Sequence, residues 1–172
     1  RDANRYEILK AISDLGDRLG PSDNLLIYFA GHGQYIDKIS SGYWEPVDSV
    51  PYKTVNSISV QDVNAQLSLT DARKVLVVSD SCYSGAFTRA PFAMLDEGAA
   101  HHTREKYLQQ IADKRSRNVM TAGGLQPVAD GLGNGHSLFA RAFISALVDN
   151  DDVALGRDLF SRVRDVVTVS AT

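Results

Sequence analysis

The sequence of 172 residues predicts an α/β fold built on a mostly parallel sheet with helices on both faces. Three observations point there. Short, nearly continuous apolar runs alternate along the chain with stretches of helical periodicity. Two of the runs, Asn24 to Ala30 (NLLIYFA) and Lys74 to Ser79 (KVLVVS), read as strands of the kind covered on both faces in parallel sheets. Each run stops abruptly in a small-residue turn that carries a chemically distinctive side chain, His32 after the first and Cys82 after the second.

The elements follow in order. Ile8, Ile12, Leu15 and Leu19 recur at helical spacing, which predicts an amphipathic helix over about Asn4 to Leu19, stopped by Gly20-Pro21. The first strand comes next and ends at Gly31-His32-Gly33. A loop rich in Gly, Ser and Pro is expected from there to about Ser57. Ser59-Val60-Gln61-Asp62 has the form of a capping box and opens a short helix through Leu69. The second strand runs into Asp80-Ser81-Cys82-Tyr83-Ser84-Gly85. A long segment, Ala86 to Arg117, follows, with a charged helix expected near Thr103 to Lys114. Asn118 to Ala122 reads as a third strand. Gly123-Gly124, Gly131, Gly133 and Gly135 mark a turn-rich loop. Phe139, Phe143, Ala146 and Leu147 form one further helix face, and Leu159, Val163, Val166 and Val167 the last.

Bulk properties exclude several classes. The apolar fraction of 44% is enough for a hydrophobic core and too high for a disordered chain. A net charge of -3 leaves no basic excess of the kind a nucleic-acid surface needs. No apolar run approaches a membrane span, and no secretory signal is visible. The single cysteine forms no internal disulfide, which is compatible with a cytoplasmic location. Starting at Arg1, the sequence reads as a fragment of something longer, with regulatory domains expected outside it.

In a doubly covered parallel sheet the site lies at the carboxyl ends of the strands, where both His32 and Cys82 fall. Neighbouring strands lie about 4.8 Å apart, so side chains past the ends of two adjacent strands can face each other. A free thiol is mostly protonated at neutral pH, and an imidazole beside it can take that proton and later return one to a leaving amine. The amides of Gly33 and Cys82 could serve as a pair of oxyanion donors. Taken singly, the cysteine also reads as an inert core residue and the histidine as structural. Together, in matching Gly- and Ser-rich turns, they read as a catalytic pair.

Tyr28-Phe29-Ala30-Gly31-His32-Gly33 and Asp80-Ser81-Cys82-Tyr83-Ser84-Gly85 closely resemble the two active-site motifs of caspase-like cysteine peptidases (peptidase C14-like), nearer to metacaspases and bacterial caspase homologues than to animal caspases. Glu45-Pro46-Val47-Asp48 is similar to the family's Pro-Val-Asp segment. Thr121-Ala122-Gly123-Gly124 with Gln126-Pro127, and Gly135-His136-Ser137-Leu138-Phe139, are similar to its third-strand and following-helix segments. The resemblance implies a caspase-like three-layer sandwich forming a single catalytic domain over residues 1–172, with the family's first strand absent from this chain. It implies an endopeptidase acting through a thioester, with His32 as general base, Cys82 as nucleophile, and the Gly33 and Cys82 amides as the oxyanion hole. It carries Asp80 as the substrate-binding acid of the S1 pocket, selecting a protein or peptide substrate with Arg or Lys before the scissile bond. A carboxylate there would form charge-assisted hydrogen bonds with either cation. Animal caspases cut after Asp and use arginines, so Asp80 argues against that specificity. An N-cap or turn role is the alternative for Asp80.

Two departures stand out. The segment that often supplies a second S1 acid is missing, and Tyr83 stands where metacaspases often carry His. No cofactor is required on this reading, although metacaspases are frequently calcium-dependent and calcium is an expected activator to test. Asp37, Asp48, Asp96 and Glu97 lack EF-hand spacing, and no metal-ligand set is read; His101-His102 have no cysteine partners. Residues 86–117 contain several Arg and Lys and form a processing loop if Asp80 selects basic residues. His136, read as structural, would be the base in a Cys-dependent α/β-hydrolase order, but Asp80 fits that motif poorly. A catalytically inactive binding or scaffold module is the alternative of a different class.

Overall fold

The computed structural model describes residues 2–81, 109, 111–122, 135–151 and 153–170. Helix α1 spans Arg5–Arg18. Its start is fixed by a reciprocal capping box in which Asn4 accepts from the Glu7 amide while the Glu7 carboxylate accepts from the Asn4 amide. Ile12 is buried, with Ile8, Leu9 and Leu19 packed beside it, so the predicted periodicity marks the face that enters the core. Helix α2, Val60–Ser68, begins at the predicted Ser59–Asp62 capping box and buries Val60, Val63 and Leu67.

The parallel sheet has the order β1-β5-β6, with β1 at Asn24–Ala30, β5 at Lys74–Asp80 and β6 at Ser116–Thr121. On one face Leu25, Ile27 and Phe29 of β1 lie beside Val75, Val77 and Ser79 of β5. There Leu25, Val75 and Val77 join Ile12, Val63 and Leu67 in the hydrophobic core. This is the apolar contact that seats α1 and α2 on the sheet.

The two long strands differ in their cover. Both faces of the central β5 are closed, since Val77 and Val78 are each fully buried. In β1, Leu26 is 54% and Tyr28 39% exposed. The expectation of two covered faces therefore holds for β5 and is corrected for β1. Among the described residues β1 has a strand neighbour on one side only, and fewer side chains shield it.

A second correction concerns residues 34–57, expected to be loop. Strands β2 (His32–Ile36), β3 (Ser41–Glu45) and β4 (Ile58–Ser59) form a three-stranded antiparallel sheet. The β2–β3 hairpin turns through a single 3-10 turn, Asp37–Ile39, closed by Ser40 at φ +50°. Gly33, Ser41 and Gly42 dilute the alternation that would announce these strands, because small residues carry little hydropathy signal. The following Pro-Val-Asp segment ties α1 down. Asp48 accepts from the Arg5 amide at 2.9 Å, and the Arg5 guanidinium donates to the Ser57 carbonyl at 2.6 Å and to Asp62 at 3.0 Å. Burial opposes the charge on Asp62, but hydrogen bonds from Arg5 and Ser59 outweigh it and hold the carboxyl below its usual range.

At the amino end of the parallel sheet, basic side chains close the loops. Arg117 donates to the Ala72 carbonyl at 2.9 Å and to the buried Thr70 at 3.1 Å. Arg73 reaches the Pro21 carbonyl at 2.8 Å, and Lys74 donates to the carbonyls of Ile111 and Lys114. Burial, followed by repulsion from Arg73, lowers the Lys74 pKa.

Residues 127–172 form a second compact unit. In it α3 (Leu138–Val148) is capped by Ser137, whose hydroxyl accepts from the Ala140 amide at 2.8 Å. Phe139 and Phe143 stack one turn apart with centroids 6.4 Å apart. Helix α4 (Gly156–Ser170) packs on α3 and buries Leu159 and Val163. Among the described residues no helix is long and apolar enough to cross a membrane.

Candidate active site at the carboxyl end of the parallel sheet

Strands β1 and β5 are parallel neighbours in register, with Ala30 opposite Asp80 at their carboxyl ends. The Gly31 amide donates to the Asp80 carbonyl at 3.4 Å, which carries the ladder one residue further. His32 follows at once. It is exposed, and it opens β2 opposite Glu45 instead of sitting in a free loop. A Cβ on Gly31 would stand 3.0 Å from the Phe29 ring, so a side chain at this exit would have to push the ring aside. Gly33 lies in β2 opposite Trp44 and is half-buried. Cys82 follows the buried Ser81 and lies outside the described residues.

The two sheets are joined by a buried polar chain that the sequence did not reveal. Trp44 of β3 stacks on Phe29 of β1, with centroids 4.3 Å apart and planes within 9°. Its indole N–H donates to the Ser79 hydroxyl at 2.8 Å, and the Ser79 and Ser81 hydroxyls share a hydrogen bond of 3.0 Å. All three residues are buried. A serine at the end of an otherwise apolar strand was the available signal, because a buried hydroxyl requires a partner. Its partner, 35 residues away in sequence, could not be read from the chain.

Asp80 is half-buried at the last paired position of β5. The Tyr28 hydroxyl, from the face of β1 opposite the core, donates to its Oδ2 at 2.9 Å. Burial, reinforced by the Asp80 charge and this hydrogen bond, pushes the Tyr28 phenol well above its ordinary pKa and keeps it a donor. Tyr28 was not among the expected site residues.

His136 is exposed next to the Ser137 cap. Asp48 is engaged by the Arg5 amide. Among the described residues no three His, Cys, Asp or Glu side chains gather as a metal site. Asp96, Glu97, His101, His102 and most of the 86–117 processing segment lie outside the described residues. An open groove along α1, between Arg5, Lys10, Asp48 and Gln66, includes neither His32 nor Asp80.

Three comparisons bear on this arrangement. The family model of the caspase domain, Peptidase_C14, matches residues 1–172. A metacaspase-1B from Aspergillus niger is 28% identical over 101 residues, covering 55% of this chain and 23% of that relative. The match thus spans about a quarter of the curated relative's length. A crystal structure of a Geobacter sulfurreducens protein superposes over 94% of this chain and 68% of its own with a TM-score of 0.59 at 21% identity, which speaks to the fold.

Proposed function

The chain belongs to the caspase-domain family of cysteine peptidases, and from that premise we propose that it is an endopeptidase using His32 and Cys82 to cut after Arg or Lys. The observation that supports this reading is the register of β1 and β5. It brings the chain entering His32 beside the chain leading to Cys82, at the carboxyl rim of one sheet.

The chemistry follows in balanced steps. His32 accepts the thiol proton, and the thiolate adds to the scissile carbonyl carbon. The negative charge that collects on the carbonyl oxygen is received by the amides of Gly33 and Cys82. Collapse breaks the C–N bond, and the departing amine takes the proton from the imidazolium. A thioester remains. His32 then removes a proton from water, the hydroxide adds, and the thiolate leaves with the acid product released. Asp80 selects the residue before the scissile bond by pairing its carboxylate with a guanidinium or ammonium.

The test offers fluorogenic peptides with Arg, Lys or Asp before the scissile bond to wild type, Cys82→Ala and His32→Ala, with and without calcium. Cleavage after basic residues that needs both side chains supports the proposal. Cleavage after Asp alone overturns the role of Asp80. Activity surviving His32→Ala points to a hydrolase using another base, and no Cys82-dependent cleavage points to a binding module. Calcium activation is read from the same assay. Self-processing within residues 86–117 would appear as two fragments in wild type and one band in Cys82→Ala.

A further inference from the structure

We propose that Tyr28 is a positioning residue for substrate selection, its hydroxyl holding the Asp80 carboxylate in the orientation that receives a cationic side chain. This rests on the reading of Asp80 as the selecting acid and goes beyond it, since Tyr28 belongs to neither motif centre.

Three features carry the inference. The first is geometry. Tyr28 sits two residues before the Ala30–Asp80 pair, on the strand face opposite Phe29, and its hydroxyl reaches diagonally across to Asp80 at 2.9 Å. A hydrogen bond from a donor on the neighbouring strand favours one orientation of the Asp80 carboxylate. The second is charge. A phenol restrains the carboxylate while leaving its negative charge in place, whereas a lysine or arginine at position 28 would neutralise it. Burial and the neighbouring carboxylate keep this phenol protonated across the neutral range, so the donor persists. The third is exposure. Tyr28 remains 39% exposed, as expected of a group at the rim of an open site.

The two basic substrates respond differently to a loosened carboxylate. A guanidinium pairs through a planar fork and depends on the carboxylate's orientation; an ammonium is a compact charge and tolerates more rotation. The experiment measures kcat and KM for matched peptides carrying Arg or Lys before the scissile bond, on wild type, Tyr28→Phe and Asp80→Asn. Phe keeps the ring and its packing at a partly exposed position, so the variant folds. For Tyr28→Phe the expected result is a KM for the Arg peptide raised roughly fivefold to tenfold, less than the full value of a hydrogen bond to a charged group because the phenol acts through Asp80, with a smaller rise for Lys and kcat within about twofold of wild type.

An unchanged KM for both peptides overturns the inference while Asp80→Asn still impairs binding, and leaves the role of Asp80 standing. A lower KM in Tyr28→Phe also overturns it, since the phenol would then compete with the substrate cation. A loss of kcat with KM unchanged assigns Tyr28 a different role and overturns it too. If Asp80→Asn leaves both peptides unaffected, the reading of Asp80 fails and the inference falls with it.

Discussion

The two ends of the parallel sheet are held by opposite means. At the amino end, Arg73, Lys74, Arg115 and Arg117 reach over the surface and donate to loop carbonyls, among them those of Pro21, Thr70, Ala72 and Lys114. Charged donors there close the chain from outside and satisfy carbonyls that would otherwise compete for water. At the carboxyl end the donors are uncharged: the Trp44 indole and the Ser79 and Ser81 hydroxyls lie inside, and the Tyr28 phenol donates to Asp80 at the partly exposed rim. On the proposed reading a basic substrate approaches this end, and cationic ties there would repel it. The difference shows how one sheet separates holding the fold from presenting a site.

The largest test breaks the chemistry and spares the fold. His32→Ala is expected to lower kcat/KM by roughly a hundredfold to ten-thousandfold, with thermal unfolding unchanged because the side chain is exposed. Full activity in that variant would remove the base from this end.

The next pair sharpens the contrast. Ser79→Ala takes away the acceptor of the Trp44 indole and is expected to cost about 1–3 kcal/mol in denaturant unfolding. It should also lower kcat, since the polar link between the two sheets is lost while the Trp44–Phe29 stack remains. Arg117→Met at the opposite end is expected to cost about 2 kcal/mol, with kcat and KM of the folded protein unchanged. If Arg117→Met slowed turnover as much as Ser79→Ala, the division between the ends would be wrong.

Smaller effects come from the helix caps, which belong to neither end. Ser59→Ala removes the α2 cap and should lower stability by about 1 kcal/mol without altering activity. Asp62 gives a pH signature. Its folded-state pKa lies below the ordinary 3.8, so its contribution is fully present above that value and is lost as pH falls through the depressed one. Stability measured by urea unfolding from pH 5 downward should therefore fall less steeply in Asp62→Asn than in wild type.

What the sequence made legible was local. The α2 start at Ser59 was legible because a capping box is written within four consecutive residues, whereas α1 announces itself by its apolar period and not by the equivalent box at Asn4. Asn24 to Ala30 and Lys74 to Ser79 announce themselves as strands by apolar content, and the second extends one residue further, to Asp80. The family resemblance rested on His32 and Cys82 motifs of the same local kind, and the caspase-domain match agrees with it. The β2–β3 hairpin stayed hidden because its small residues blur the period-two pattern. The Trp44–Ser79 and Tyr28–Asp80 contacts stayed hidden for another reason. Each depends on which strands become neighbours and in what register, a property of the assembled sheet and of no single segment.

A single peptide link divides the backbone's allegiance at this rim. Gly31 still bonds to β5, and the very next residue, His32, already pairs with β3. No slack intervenes between the two sheets. A tilt of the hairpin, wherever along Gln34 to Ile36 the push arrives, is thus delivered undamped to the imidazole, and the Trp44 indole is the strut that resists it. Where the His32 side chain stands is, in effect, a reading of the angle between two sheets.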